Sequence, residues 1–327
     1  MRGAVPELSL ADYRFGDPQR RASFSSALMR GFQRYGFIIL RDHLVADELI
    51  AAAYALTAQF FAQHESVKRG FVAGPRGYAP FQTEHAKHQT IPDLKEFWQI
   101  GPEPPSPGAG AGHGTSLPPN IWPQSPAGFQ ETFLALFDAL QETGLVVLEA
   151  LAPPLALAEG FFGALLRERN SVLRLLHYPP IAGDAQAGGV RSAAHEDINL
   201  ITLILAPQGP GLELLDRDGR WLSIETSRNH LIVDSGDMLA RMTNDVIPAT
   251  THRVVNPSVE NVSRYSMPFF MHPDADVVLR CLPSCVGTGA KYADIRAGTF
   301  LDQRLIEIGL LNAADRETTG RDPAAGR

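Results

Sequence analysis

From residue 171 onward the chain is a series of short apolar-alternating runs broken by turn residues: "SVLRLLHYPP", "NLITLILAP", "GLELLDRDGRWLSI", "HLIVDSGDMLARMT", "ATTHRVVNP" and "RYSMPFFMHP". Strands this short and this closely spaced bury their apolar faces by packing sheet on sheet or by curling into a jelly roll. The "DRDGR" between Leu215 and Trp221 is a hairpin signal. A mainly β core, a sandwich or jelly roll, is therefore expected from residue 171.

The preceding half reads differently. A short strand over residues 5–10 is followed by a helix over 18–34, a strand "GFIILRDH" at 36–43 and a helix over 46–63 with apolar positions at helical spacing. Residues 70–127 read as loop, their second half dense in Pro and Gly. Helices are predicted at 128–151 and 155–169, split by Pro153-Pro154, and a last one at 297–311 before a polar tail expected to be disordered. No internal repeat occurs. The expected division is 1–127, a helical N-terminal part with a loop over the pocket; 128–170, supporting helices; 171–275, the β core; and 276–327, a C-terminal helix and tail.

Bulk properties narrow the partners. Net charge is −7, with no block of five like charges, which counts against nucleic acid and membrane surfaces. The most apolar stretch, 143–166, is interrupted by Glu149, Pro153, Pro154 and Glu159, so no membrane span is expected. The N-terminus shows no apolar run of signal-peptide length. Two cysteines, Cys281 and Cys285, are too few for a disulfide scaffold and read as small packing residues. A reduced, cytoplasmic setting is the expectation.

The stretch "AAHEDINLITL" (193–203) carries the chemistry. Read as one extended segment, it puts His195, Asp197 and Asn199 on a single face. A charge on a buried face needs a partner, and the pair alone is weak evidence. A third candidate, His252 in "THRVVNP", lies on a later strand of the same core. Two imidazoles and one carboxylate form the facial triad that holds non-haem Fe(II) and leaves three positions open. Twelve residues on, Arg264 and Ser266 in "RYS" share a strand face, offering a guanidinium fork and a hydroxyl to a carboxylate.

The order H-x-D, "GDMLARMTNDVIPATTHRVVNP", R-x-S resembles the isopenicillin N synthase-like branch of the 2-oxoglutarate/Fe(II)-dependent oxygenases. "RYGFIILRDHL", "RGYAP", "DLKEFWQIG" and "LLHYPP" are similar to landmarks of that branch, so the resemblance covers most of the chain. It implies a double-stranded β-helix (jelly roll, cupin-like) core with flanking helices, and 1–127 as an N-terminal non-haem dioxygenase region. It implies Fe(II) on His195, Asp197 and His252, with 2-oxoglutarate as co-substrate and O2 as oxidant. It assigns Arg264 and Ser266 to the distal carboxylate of 2-oxoglutarate, with Tyr178 helping. Leu176 stands where the branch has asparagine, which puts co-substrate contacts on that strand in doubt. Arg174, on the same face, matches a basic position used near the co-substrate by ethylene-forming relatives. The implied activity is oxidation of a small-molecule substrate through a ferryl species, releasing succinate and CO2, with no side-chain acid or base.

Substrate contacts are expected from Asn199, one step along the triad face, and from Tyr78 and Glu84 in the covering loop 77–97. His177, on the opposite face from Arg174, is expected to be packed; His85, His88 and His113 read as loop residues. An oxidase of the same branch that does not use 2-oxoglutarate stays open on these residues, as does a cupin-type binding protein without turnover. A zinc hydrolase lacks a convincing general base.

Overall fold

The computed structural model describes all residues except 1–4, 87–90, 104–118, 182–187, 259 and 309–327. Strand β1 (Glu7–Ser9) runs into α1 (Leu10–Arg14), and α2 (Pro18–Tyr35) leads to β2 (Phe37–Arg41). The bounds of α2 follow from its ends. The Asp17 side chain accepts a hydrogen bond from the Arg20 amide, Pro18 takes the first turn, and Gly36 closes the helix at φ 64°. A Cβ at Gly36 would meet Thr250 Oγ1 at 1.6 Å, so glycine is also required there by the strand end it rests on.

Next come α3 (Asp47–Phe61), α4 (Glu65–Arg69), β3 (Gly77–Ala79), β4 (Glu96–Ile100), α5 (Phe129–Leu151) and α6 (Phe161–Leu165). The rest comprises β5 (Val172–Tyr178), β6 (Ser192–His195), β7 (Ile201–Gln208), β8 (Leu212–Leu215), β9 (Trp221–Ser223), β10 (Leu231–Ser235), α7 (Asp237–Met242), β11 (His252–Val254), β12 (Arg264–Met271), the short pair β13 (Val278–Leu279) and β14 (Ile295–Arg296) with a 3-10 turn (Pro283–Cys285) between them, and α8 (Ala297–Glu307).

Two sheets make the jelly roll. The major one has the order β1-β2-β10-β7-β12-β5-β4-β3, and the minor one β6-β11-β8-β9. Alternation along β5 and β12 separates two environments. Leu173 and Leu175 of β5, with Met267, Phe269 and Met271 of β12, belong to the large core that also holds residues of α2, α3 and α5. The Phe137 ring of α5 meets Phe269 edge-on at 4.9 Å between centroids. The opposite faces, Arg174, Leu176 and Tyr178 on β5 and Arg264, Ser266, Pro268 and Phe270 on β12, line a cavity.

Several expectations need correction. Residues 70–127 are not simply loop: β3 and β4 pair with each other, and β4 pairs with β5, extending the major sheet. The run "HLIVDSGDMLARMT" splits into β10 and the short helix α7, and the helix expected over 155–169 shrinks to α6. Most consequentially, His195 ends β6, and β7 starts at Ile201. Asp197 and Asn199 therefore sit in the connection between the sheets, not on one strand face with His195. The predicted hairpin is present, with Leu215 opposite Trp221. The polar tail lies outside the described residues. No helix among those described is long and apolar enough to cross a membrane.

Candidate metal centre and ligand cavity

Antiparallel pairing of β11 with β6 puts His252 directly opposite His195, with ring centroids 4.4 Å apart. The chain leaves β6 at His195, so Asp197 can turn back between the two rings. Its Oδ1 lies 3.7 Å from His195 Nε2 and 3.9 Å from His252 Nε2. One ligand atom from each of the three lies within 4.8 Å of the others.

The surrounding hydrogen bonds orient these atoms for a cation. His195 Nδ1 sits 2.8 Å from the Ala193 carbonyl and His252 Nδ1 3.2 Å from that of Thr250. A carbonyl only accepts, so each Nδ1 carries the proton and each Nε2 offers its lone pair toward Asp197. Thr202 Oγ1 donates to Asp197 Oδ2 at 2.5 Å, and Asn199 Nδ2 donates to Thr202 Oγ1 at 2.8 Å. The turn is pinned from α7, whose Asp237 and Met238 amides donate to the Asp197 and Asn199 carbonyls. Burial, with His195 adding to it, pushes the His252 imidazole down to about 4. It is thus a neutral ligand at ordinary pH. Behind it, Asp234 Oδ2 on β10 lies 3.9 Å from His252 Nδ1. Burial, then the Asp197 carboxylate, raises the Asp234 carboxyl well above its usual range. This raised carboxyl favours the protonated form of Asp234, so Asp197 is the carboxylate that the centre presents beside the two imidazoles. That donor set suits Fe(II).

The centre opens into a cavity of about 710 Å³. At one end Arg264 stands opposite Tyr178 and Ser266 opposite Leu176 in the β12–β5 ladder. Arg264 is 2% exposed, and its guanidinium lies 5.1 Å from the Tyr178 ring centre. Its Nε donates to the Pro210 carbonyl at 3.2 Å, while Nη1 is buried with no acceptor among the described residues. Among the described residues no carboxylate pairs with it. Such a guanidinium, flanked by a hydroxyl, fits a ligand carboxylate. Leu176, Ile204, Leu212 and Val254 supply apolar wall between this clamp and the metal centre.

The same cavity is bordered by a chain of buried charges. Arg174 donates to Glu84 Oε1 at 2.9 Å and, through Nε, to Gln99; Lys95 bridges Glu84 Oε2 and Asp93 Oδ2, each at 2.7 Å. Burial alone would raise the Glu84 carboxyl, but the Arg174 and Lys95 cations overcome it and hold Glu84 well below the usual carboxylate range. The Arg174 guanidinium also lies 4.6 Å from the Phe97 ring centre and 5.4 Å from that of Phe270. Arg174 and Glu84 both line the cavity, yet each is already the other's partner.

Two expected substrate residues are elsewhere. Asn199 is fully buried, is not among the cavity-lining residues, and supports Thr202 and through it Asp197. Tyr78 is 1% exposed and packs among Phe60 and Phe61, with its hydroxyl on Glu96 and Glu65. It belongs to the core and is no lid. His177 is packed as expected, between Glu96 and Ser263. His85, read as a loop residue, lines the cavity; His88 and His113 lie outside the described residues. Sequence reading missed Thr202, hidden inside an apolar strand, and His272. The latter continues the Ser266–Pro268–Phe270 face one step past β12, and that period of two is the signal that identifies it. Burial pushes its imidazole down to about 4.

Comparisons with known proteins agree with this geometry. The 2OG-Fe(II) oxygenase superfamily profile matches residues 169–273, and that of the non-haem dioxygenase in morphine synthesis N-terminal region matches 5–125. A 2-oxoglutarate-Fe(II) type oxidoreductase of Emericella nidulans is 30% identical over 309 residues, 89% of this chain and 86% of its own. A 2OG-Fe(II) oxygenase family protein from Caulobacter crescentus, solved by crystallography, is 40% identical with a TM-score of 0.81, covering 93% of this chain and 99% of its own. A Neurospora crassa enzyme crystallised with alpha-ketoglutarate, the same compound as 2-oxoglutarate, is 28% identical with a TM-score of 0.81, covering 92% and 96%. The chain therefore belongs to the 2-oxoglutarate/Fe(II)-dependent oxygenase superfamily, in its isopenicillin N synthase-like branch, and is an oxidoreductase that uses Fe(II), 2-oxoglutarate and O2.

Proposed function

We propose that His195, Asp197 and His252 hold the Fe(II), that Arg264 with Ser266 and Tyr178 holds the distal carboxylate of 2-oxoglutarate, and that the rest of the cavity receives a small organic substrate. The observation that carries this reading is the pairing of a cation-ready donor set with a buried, carboxylate-free guanidinium in one cavity. With iron and 2-oxoglutarate bound, the site supplies the oxidising power that turns 2-oxoglutarate, O2 and substrate into succinate, CO2 and oxidised substrate. The protein's own residues bind and orient. Thr202 keeps one Asp197 oxygen occupied so that the other faces the metal. The Ala193 and Thr250 carbonyls fix both imidazole tautomers. The apolar wall of Ile204, Leu212 and Val254 excludes water between metal and clamp. No side chain is needed as general acid or base.

A small molecule as prime substrate is supported by the Neurospora crassa relative, which has been crystallised with thymine and with 5-formyluracil. We extend the reading to a cytoplasmic setting, which the two free, buried cysteines support. The test is anaerobic addition of Fe(II) and 2-oxoglutarate, followed by O2 and a substrate panel with succinate as readout. The weak visible band of an iron-chelated keto acid is expected in wild type and absent in Asp197→Ala. Persistence of that band in the variant would remove Asp197 from the metal site.

A further inference from the structure

Four arginines line the cavity: Arg76, Arg174, Arg264 and Arg304. Arg174 is paired with Glu84, and Arg304 with Glu307. Arg264 is the clamp proposed for 2-oxoglutarate. Arg76 remains unexplained. It precedes β3, is 2% exposed, and among the described residues its guanidinium donates one hydrogen bond, from Nη1 to the Pro75 carbonyl at 3.3 Å. Its Nε and Nη2 are buried with no acceptor among the described residues. These two nitrogens form one edge of the guanidinium, with parallel N–H groups, the geometry that receives a carboxylate through two hydrogen bonds.

The socket is built for this side chain. A Cβ at Gly101 would meet Arg76 Nη2 at 2.0 Å, Cζ at 2.2 Å and Nε at 2.6 Å. The guanidinium therefore lies face-on over the glycine. The Gly101 backbone does not need Arg76, since Asn120 accepts from its amide at 2.8 Å and donates to its carbonyl at 2.9 Å. Burial lowers the Arg76 pKa to about 10, and no anion among the described residues opposes it. The other buried charges of this wall balance, Arg174 and Lys95 against Glu84 and Asp93. Among the described residues, Arg76 is the cation of this wall that no carboxylate balances. It lines the same cavity as His272 and the triad residues His195, Asp197 and His252.

We propose that the prime substrate carries a carboxylate, which docks on the Nε/Nη2 edge of Arg76 and so suspends the rest of the molecule between that anchor and the metal centre. This rests on the reading of the cavity as the substrate chamber of a 2-oxoglutarate oxygenase. The shared Arg76 signature at Arg264 distinguishes two anion sites: one for the co-substrate, one for the substrate.

The test is calorimetric and needs no turnover. Holoenzyme with Fe(II) and 2-oxoglutarate, kept anaerobic, is titrated with benzoate, phenylacetate, cinnamate, hexanoate and L-proline, each beside its primary amide, and with phenylphosphonate. Acids are expected to bind and their amides not. Arg76→Gln should weaken the acids about 30-fold or more, as loss of a buried charge-assisted pair does. Gly101→Ala keeps the charge but displaces the guanidinium, and is expected to weaken the same acids; Arg76→Lys keeps the charge without the fork and should recover part of the loss. All variants should bind 2-oxoglutarate like wild type, which also reports their folding. If Arg76→Gln does not fold, Gly101→Ala decides. Equal binding of acids and amides, no binding by any acid, preference for the phosphonate alone, or unchanged acid affinity in a folded variant overturns the proposal. Loss of 2-oxoglutarate binding in Arg76→Gln, with Gly101→Ala folded and affected alike, would instead overturn the assignment of Arg264.

Discussion

The strongest quantitative consequence concerns Thr202, a residue with no contact to any substrate. Its hydroxyl donates to Asp197 Oδ2 and receives the Asn199 amide, all three groups buried. Thr202→Val removes the hydroxyl at nearly constant volume. A hydrogen bond to a charged group contributes about 1.5–3 kcal/mol, and its loss frees Asp197 to rotate away from the two imidazoles. If that energy is expressed in metal binding, Fe(II) affinity falls roughly 10- to 150-fold; outer partners of metal ligands generally cost about 10–100-fold. The variant also leaves the Asn199 amide unpaired, a further penalty of about 1–3 kcal/mol in the folded state. Anaerobic competition between the protein and a chromophoric Fe(II) chelator measures the first effect, and thermal unfolding of the metal-free protein the second. Thr202→Ser is the control and should behave like wild type. A folded Thr202→Val protein with Fe(II) affinity within about threefold of wild type would refute the chain of reasoning from Thr202 through Asp197 to the metal.

Other expectations can be checked on the same preparations. Arg264→Ala should raise the 2-oxoglutarate requirement about 30-fold or more while sparing Fe(II) binding, and Arg264→Lys should rescue only part, measured by titrating the visible band. Glu84→Gln breaks a buried ion chain and should destabilise the protein by about 3–5 kcal/mol in denaturant unfolding at neutral pH. Because the Glu84 pKa is depressed on folding, its contribution is present above its unfolded value and is lost as pH falls through the lower folded value. The gap between wild type and Glu84→Gln should therefore narrow on acidification, and a constant gap would contradict the ion-chain account. Tyr78→Phe should cost about 1.5–3 kcal/mol of stability through its bond to Glu96 and leave 2-oxoglutarate affinity unchanged. A changed affinity would return Tyr78 to the cavity.

What could be read without the fold depended on how local the cause was. The helix expected over 18–34 is bounded in the structure by Asp17-Pro18 and Gly36, and β5, β7 and β12 show in the sequence as apolar alternation, all short-range causes. The residue types at 195, 197 and 252 also suffice to name a metal set. Their placement did not follow from pattern: treating 195–203 as one strand put Asn199 on the ligand face, whereas β6 ends at His195 and the chain crosses between sheets. Strand β4 was missed because Glu96–Ile100 owes its conformation to pairing with β5, more than seventy residues away. Arg76 and Arg174 look alike in a sequence. Only the positions of Glu84 and Gly101 reveal that one is paired and the other is not.

The two ends of the cavity are made of different material. The clamp proposed for the co-substrate stands on the same face of the β12–β5 ladder, so moving it means re-registering the central sheet. Other lining residues come from the edge of the major sheet, with Arg76, Glu84, His85 and Gln99 on or around β3 and β4, and from α8, with Leu301, Arg304 and Leu305. A library that randomises positions of this second set, such as His85, Leu301 and Leu305, should therefore yield many variants that still consume 2-oxoglutarate but accept different molecules. The same number of changes on the inward faces of β5 and β12 should yield mostly inactive ones. Substrate range and oxidative capacity are, in this molecule, separately adjustable quantities.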